Sequence, residues 1–332
     1  MLLEKKLVTT SILRRLLDMS DQNKLRVKQI LADTKDWAAV HFKCLFGEKN
    51  SISAMWKLVS TAIGYISSIF AFSVLLKDLV GFDNAEELCR NYWWVLIFIG
   101  AMASIIRNHE TISCKGSIED DDLQIVVKVK DLFCTNASSY VIPTNTYFRT
   151  VMDGEYISPQ SVQGAFQIKY FNRNRALLDE LISGNLQQQG IVGEDCSDIY
   201  GAVKKYPIGT VAKIDHKDKH YYFVAINDVN IYGKPENQRY ENVEVALNGL
   251  LATINKLGHC DELAIPLIGT GRAAIREATI EKVVENIVDR FLKSQDKLVR
   301  KLIICIRPMD YLEDRVNMKT IEKYIDYKCE FS

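Results

Sequence analysis

Residues 262–272 read Glu-Leu-Ala-Ile-Pro-Leu-Ile-Gly-Thr-Gly-Arg, an apolar run of strand length that passes directly into a glycine turn. A run of this kind predicts a buried strand, and the turn at Gly269-Thr270-Gly271 predicts a loop whose backbone can approach a ligand closely. Several N–H groups can converge there on a phosphate, with a helix expected to follow from Ile275 to Ser294. Alone, a glycine turn is equally a structural turn. The neighbouring segments supply its context. Leu123–Val129, Tyr140–Ile142, Tyr221–Ile226 and Lys301–Ile306 are short apolar runs rich in β-branched or aromatic residues. Longer helical patterns separate the later ones, chiefly Glu241–Lys256. Strands alternating with helices predict a three-layer α/β/α domain with a mostly parallel sheet, whose ligands sit where loops leave the strands' carboxyl ends.

Bulk composition narrows the function classes. Lys plus Arg equals Asp plus Glu at 42 each, so the basic excess of a nucleic-acid binder is missing and no nucleic-acid partner is expected. The eight cysteines are scattered without a Cys-x-x-Cys pair, which suits buried thiols in a reducing compartment. His216 and His220 are four apart, but Asp-His-Lys-Asp-Lys-His leads into Tyr-Tyr-Phe-Val-Ala-Ile, and a hairpin turn is the expected reading rather than a metal site. No signal peptide is evident, because the N-terminus is charged and lacks an early apolar core.

The N-terminal third has a different solvent in view. Leu58 to Leu76 carry no charge, and at about 1.5 Å per residue they reach roughly 28 Å. A second uncharged run, Asn91 to Ile106, reaches about 24 Å, with Arg90 and Arg107 at its ends and Tyr92, Trp93 and Trp94 placed as an interfacial belt. Two membrane spans are expected within 58–106. Residues 1–57 hold eleven Lys/Arg against six Asp/Glu, whereas the connector 77–90 is acidic. Positive flanks stay inside, so both termini are expected to be cytoplasmic in a multi-pass membrane protein. Ser60, Gly64 and Ser68, with Gly100 and Ser104, recur at helical spacing; they either let helices approach closely or reflect the ordinary frequency of small residues in such helices. The segment 1–57 reads as helical and amphipathic, with Leu13, Leu16, Leu17, Leu25, Ile30 and Leu31 on its apolar side. Such a helix either lies on membrane lipid or packs on a neighbouring subunit.

Five segments in order bring a family into view. Ile-Pro-Leu-Ile-Gly-Thr-Gly-Arg-Ala-Ala-Ile (265–275) resembles the second phosphate-binding loop of macro domains. Lys130–Phe133 stands where that family has an aspartate accepting the adenine amino group. Tyr140–Phe148 resembles its strand and asparagine-bearing loop, Ser161–Gly164 its first glycine-rich loop, and Tyr206–Thr210 its Pro-x-Gly turn. The resemblance spans roughly 117–330, within a domain taken as 107–332. It implies a site for an ADP-ribose-type nucleotide. Asp131 and Leu132 would lie at adenine and Asn145 at the distal ribose. Val162, Gln163, Gly164, Ile268, Gly269, Thr270, Gly271 and Arg272 would lie around the diphosphate. Arg272 either pairs with a phosphate or holds an acidic neighbour. The insertion 165–205 is either a cover for the pocket's distal end or a surface excursion.

Val-Ile-Pro-Thr-Asn-Thr-Tyr-Phe through Ser-Val-Gln-Gly, placed after a two-helix membrane segment, resembles the membrane-anchored macro-domain effectors of Thoeris anti-phage systems. That resemblance implies an ADP-ribose-containing signal, made from NAD by a TIR-domain partner, and a homo-oligomeric effector that impairs the inner membrane. It implies no catalytic residue, metal or cofactor. A membrane-tethered ADP-ribosyl hydrolase is the alternative. The shortened asparagine motif and bulkier Ser-Val-Gln-Gly loop favour binding over hydrolysis.

Overall fold

The computed structural model describes residues 21–46, 51–80, 91–118, 123–154, 156–171, 174–270, 275, 278–294 and 298–331. The chain divides into two compact units, Lys35–Ile112 and Met1–Thr34 with Ser113–Ser332. The expected apolar positions Leu13, Leu16 and Leu17 lie outside the described residues, and helix α1 covers Asp21–Phe46.

In the first unit, α2 (Ser51–Val80) packs on α3 (Trp93–Asn108). The two meet through small residues. A Cβ added to Gly100 would lie 3.1 Å from Ile66 Cγ1 and 3.2 Å from the Ala62 carbonyl oxygen. Ser104, fully buried, donates its hydroxyl to the Leu58 carbonyl at 3.3 Å. Gly64, expected to share this role, has nothing within 4 Å of its would-be Cβ. The large apolar side chains point outward: Ile63 is 57% exposed and Phe98 65%. The 21 residues Met55–Leu75 are long and apolar enough to cross a membrane. Among the described residues the expectation of two spans is met by one helix only. At 16 residues α3 reaches about 24 Å, short of the roughly 30 Å hydrocarbon core.

The second unit is built on one mixed sheet. Its strands are β1 (Ser113–Ile118), β2 (Leu123–Val129), β3 (Ser139–Asn145), β6 (Val211–His216), β7 (Lys219–Val229), β9 (Cys260–Pro266) and β10 (Val299–Ile306), with β8 (Pro235–Glu236) beside β7. A separate hairpin, β4 (Glu194–Asp198) and β5 (Gly201–Lys205), stands off the sheet. The order is β1-β2-β10-β9-β3-β7-β6; the five inner strands run parallel and the edge strands β1 and β6 antiparallel. Inner strands are apolar on both faces because helices cover both. Tyr140, Ile142, Tyr221 and Phe223 face α4 (Val162–Tyr170) and α5 (Arg175–Gln188) through Phe166, Leu178, Ile182 and Leu186. Tyr222 and Val224, offset by one, belong to the opposite face, as the two-residue strand period requires. There α6 (Tyr240–Leu257) packs on the sheet and on α7 (Ile280–Lys293), and α9 (Met318–Phe331) packs on β1 and α7; the short α8 (Pro308–Leu312) follows β10.

Two sequence readings change here. The helix after the glycine turn starts at Ile280, not at Ile275. Thr279 caps it by accepting from Lys282 N–H, and Ile280, Val283, Val284, Ile287, Val288 and Phe291 form its buried stripe. The 165–205 segment is also more than an excursion. Leu178, Ile182 and Leu186, four apart, make α5 a core helix, and only β4–β5 stands outside the sheet. The hairpin expected at 216–220 is present, turning on Lys217 and Asp218, both at positive φ.

Candidate functional site

The sheet opens between β3 and β9. These strands pair only at Ser139–Leu263 and Tyr140–Ala264, whereas β3 stays paired with β7 along its length. Beyond Tyr140 the two strands part, and each carries a proline, Pro143 and Pro266, at the gap. A proline has no amide hydrogen to donate to a ladder. The chain leaves β3 toward β7 on one side and β9 toward β10 on the other. This is therefore the place where the strand order reverses, and where a crevice forms at carboxyl ends.

A cavity of about 410 Å³ fills the opening. One wall comes from β3 and β7, through Thr144, Asn145 and Asn227; the other follows β9, through Leu267, Gly269 and Thr270. Gly269 has φ +83, and a Cβ there would lie 2.9 Å from Val243 Cγ2 and 3.1 Å from Ile275 Cδ1. The glycine therefore permits the turn itself, and its absent side chain would press on the protein. Ile268 is fully buried beneath, and Thr270 donates its hydroxyl to the Leu267 carbonyl. Gly271 and Arg272 lie outside the described residues.

Opposite this turn stands the start of α4. Ser161 caps the helix, its hydroxyl accepting from Gly164 N–H at 3.0 Å. The segment expected as a glycine-rich loop is thus a helix N-terminus. Gly164 is required because a Cβ there would collide with the Ser158 carbonyl oxygen. Val162 and Gln163 line the cavity as the first helical residues, whose N–H groups have no partner within a helix. Such an end attracts anions.

Asn145 lines the cavity but is locally engaged: its carboxamide oxygen accepts from Tyr147 N–H at 3.0 Å. Gln163 likewise donates to the Arg149 carbonyl at 3.1 Å. Asp131 and Leu132 stand apart from this cavity, at the carboxyl end of β2. There Asp131 caps a single helical turn, Leu132–Cys134, by accepting from Phe133 N–H at 2.8 Å. Leu132 is buried beneath it.

Sequence reading missed Tyr156, Asn227 and Arg307. Arg307 follows β10 at the cavity edge, with its guanidinium held by Asp310 through two bonds of 2.8 and 2.9 Å. Tyr156 joins the inserted hairpin to the wall. Its hydroxyl lies 2.9 Å from both Asp198 Oδ2 and the Ile231 carbonyl oxygen, which share its single hydrogen, and Arg149 pairs with the same carboxylate through two bonds of 2.8 Å. Burial alone would raise the Asp198 pKa. Bonds from Arg149, the Tyr200 N–H and Tyr156 outweigh it and hold the carboxyl below its ordinary range. Burial and the bond to Asp198 push the Tyr156 hydroxyl up.

The family model for the Macro domain of the Thoeris protein ThsA matches residues 125–307. Among solved structures, the Oceanobacillus iheyensis macrodomain with ADP is 15% identical, with 66% of this chain and 97% of that chain covered and a TM-score of 0.40. The Trypanosoma brucei macrodomain in complex with ADP-ribose is 12% identical, with 60% and 68% covered and a TM-score of 0.38. The macrodomain of Thermus aquaticus DarG is 14% identical, with 55% and 97% covered and a TM-score of 0.36. No curated protein matches the chain.

Proposed function

The chain belongs to the family of Thoeris ThsA macro domains, and on that premise we propose that its cleft binds an ADP-ribose-type signal and thereby switches a membrane effector of anti-phage defence. One observation carries the binding half. The N-terminus of α4 and the Gly269 turn line one cavity, at the opening between β3 and β9, so backbone N–H groups and a helix end meet there. That arrangement suits a diphosphate.

Each site residue then has a place. The cap at Asp131, with Leu132, receives adenine. Gly269 and Thr270 meet the diphosphate together with Val162, Gln163 and Gly164, Ile268 anchors the turn, and Gly271 and Arg272, which follow in sequence outside the described residues, belong to the same loop in this reading. Asn145 stands at the far ribose. Arg307 adds a cation at the rim, oriented by Asp310. The signal would be made from NAD by a TIR-domain partner.

The response belongs to the apolar unit. In this reading α2 crosses the membrane. The shorter α3 makes a second crossing closed by its flanking arginines, leaving both termini inside and 77–90 outside. A ligand moves such an assembly only by binding one arrangement better than another, and repacking of a homo-oligomer is the simplest such change.

Calorimetry on the full chain in detergent tests the reading. ADP-ribose is expected to bind, and Asp131→Ala to weaken it by about 1 kcal/mol, the worth of one hydrogen bond to a base. Absence of binding to ADP-ribose or its conjugates would overturn the proposal. Turnover of an ADP-ribosylated substrate would replace it with the hydrolase. For topology, a cysteine placed at Asn84 is expected to label from outside intact cells while Cys260 stays protected; the reverse pattern would overturn the orientation.

A further inference from the structure

We propose that two adjacent turns, Asp198–Gly201 and Asn230–Gly233, form an apolar pad that docks the α/β unit on a lipid surface, separately from the spanning helices. The inference rests on the membrane reading above and assigns a contact to residues outside the nucleotide's own subsites.

The two turns are one pattern written twice, Asp-Ile-Tyr-Gly at 198–201 and Asn-Ile-Tyr-Gly at 230–233. In each, the first side chain accepts from the tyrosine N–H two residues on, Asp198 from Tyr200 at 2.8 Å and Asn230 from Tyr232 at 3.0 Å. Each closes on a glycine at positive φ, +99 at Gly201 and +79 at Gly233. The turns abut, because Ile199 donates its N–H to the Ile231 carbonyl at 3.3 Å. At these paired tips Ile199 is 52% exposed, Tyr200 47%, Ile231 48% and Tyr232 56%. Turn tips in water favour small polar residues. Four large apolar side chains left half-bare on two joined tips mark an interaction surface.

The chain's course selects lipid as the occupant. Ser113 of β1 stands beside Lys128, near the carboxyl end of β2, and the Asn230 turn follows the carboxyl end of β7. The chain therefore enters this unit at the same end of the sheet as the pad. Only residues 109–112 separate Ser113 from α3, which lies in the bilayer in the reading above.

The chemistry agrees. Isoleucine suits the acyl boundary, and tyrosine the headgroup level, where its ring is apolar and its hydroxyl wet. The N–H groups of Ile199, Tyr200, Tyr232, Gly233 and Lys234 all have partners within the unit. A segment entering an apolar boundary must satisfy its backbone internally, whereas strand addition by a second copy needs free N–H groups. Lys234 and Glu236 beside the pad carry opposite charges, so apolar burial drives the contact and anionic lipid is not required.

Photocrosslinking of the purified full chain in phosphatidylcholine vesicles tests the pad. Benzoylphenylalanine is placed at Tyr232 and, as a control, at Val192, which is 85% exposed and precedes the opposite end of the β4–β5 hairpin. Lipid adducts at 232 are expected to exceed those at 192 about tenfold, the partition gained by burying two half-exposed isoleucines. Ile199→Ser combined with Ile231→Ser is expected to lower adducts at 232 about tenfold, with the melting temperature unchanged. Equal adducts at the two positions, or adducts unaltered by the serine pair, would overturn the inference. A covalent dimer at 232 in place of the lipid adduct would overturn it too, by seating a second copy on the pad. Should the serine pair fail to fold, the ratio of 232 to 192 in the otherwise native chain still decides. A chain that does not float with the vesicles would overturn the membrane reading beneath it.

Discussion

In the α/β unit Phe166, Tyr221 and Phe223 are fully buried, whereas in the helical unit Trp56, Phe72 and Phe98 point outward and Gly100 and Ser104 are buried. The same residue types are sorted in opposite directions. Water rewards hiding aromatic surface, and the sheet hides it between layers. In the helical unit the two helices instead meet through small residues and an interhelical hydrogen bond, at Gly100 and Ser104. The difference teaches that the two units follow different packing rules, and that the exposed apolar face belongs to the unit whose Met55–Leu75 is long and apolar enough to cross a membrane.

The largest expected effect tests the water-facing half. Phe166→Ala should destabilise the α/β unit by about 3–5 kcal/mol, because it removes a ring packed against Tyr221 and Phe223. Chemical denaturation followed by tyrosine fluorescence measures this, and a loss under 1 kcal/mol would mean that the aromatic layer is not a cooperative core.

The outward apolar face of α2 gives a different test. Ile63→Arg on the outward side of α2 should oppose membrane insertion by about 3 kcal/mol, the cost of a central arginine. Membrane fractionation reads the effect, and unaltered insertion together with better solubility would place that face in water.

A smaller pair of changes sharpens the account of helix packing. Gly100→Leu should weaken the α2–α3 contact by about 1–3 kcal/mol, since Ile66 and the Ala62 carbonyl already stand at contact distance. Gly64→Leu should leave that contact intact. Cross-linking between cysteines placed on α2 and α3 distinguishes them, and equal loss from both would refute the geometry.

The smallest effect concerns a buried charge on the inserted hairpin. Asp198 has a depressed pKa, so its contribution to stability is present above the unfolded-state value near 4 and disappears as pH falls through the folded value. Between pH 5 and 3, the Asp198→Asn variant should therefore lose less stability than the native chain. Parallel losses would show that other carboxylates carry the acid sensitivity.

Much of the α/β unit was legible because its signals are local. Leu123–Val129 reads as a strand and is one, and Tyr221–Ile226 falls inside β7. The Lys217-Asp218 turn is marked by charge between two strand patterns. Leu178, Ile182 and Leu186 carried an equally local helical signal, obscured by the polar Gln187-Gln188-Gln189 that follows them. Ser161–Gly164 was located but misread, because Ser161 suits a turn and a helix cap alike and only the Gly164 N–H bond decides. Tyr156 and Arg307 carried no local signal. Each becomes part of the cleft through a partner distant in the chain, Tyr156 through Asp198 and the Gly233 backbone, Arg307 through the position of β10.

Sequence by itself determined which stretches are strands and helices, which faces are apolar, and that Leu58 to Leu76 form an uncharged run of membrane-spanning length, because propensity and periodicity act between near neighbours. Tertiary structure alone decided where the sheet opens. On one edge β3 stays paired with β7 while on the other it parts from β9 after Tyr140, an outcome set by strands more than seventy residues away that no local pattern records.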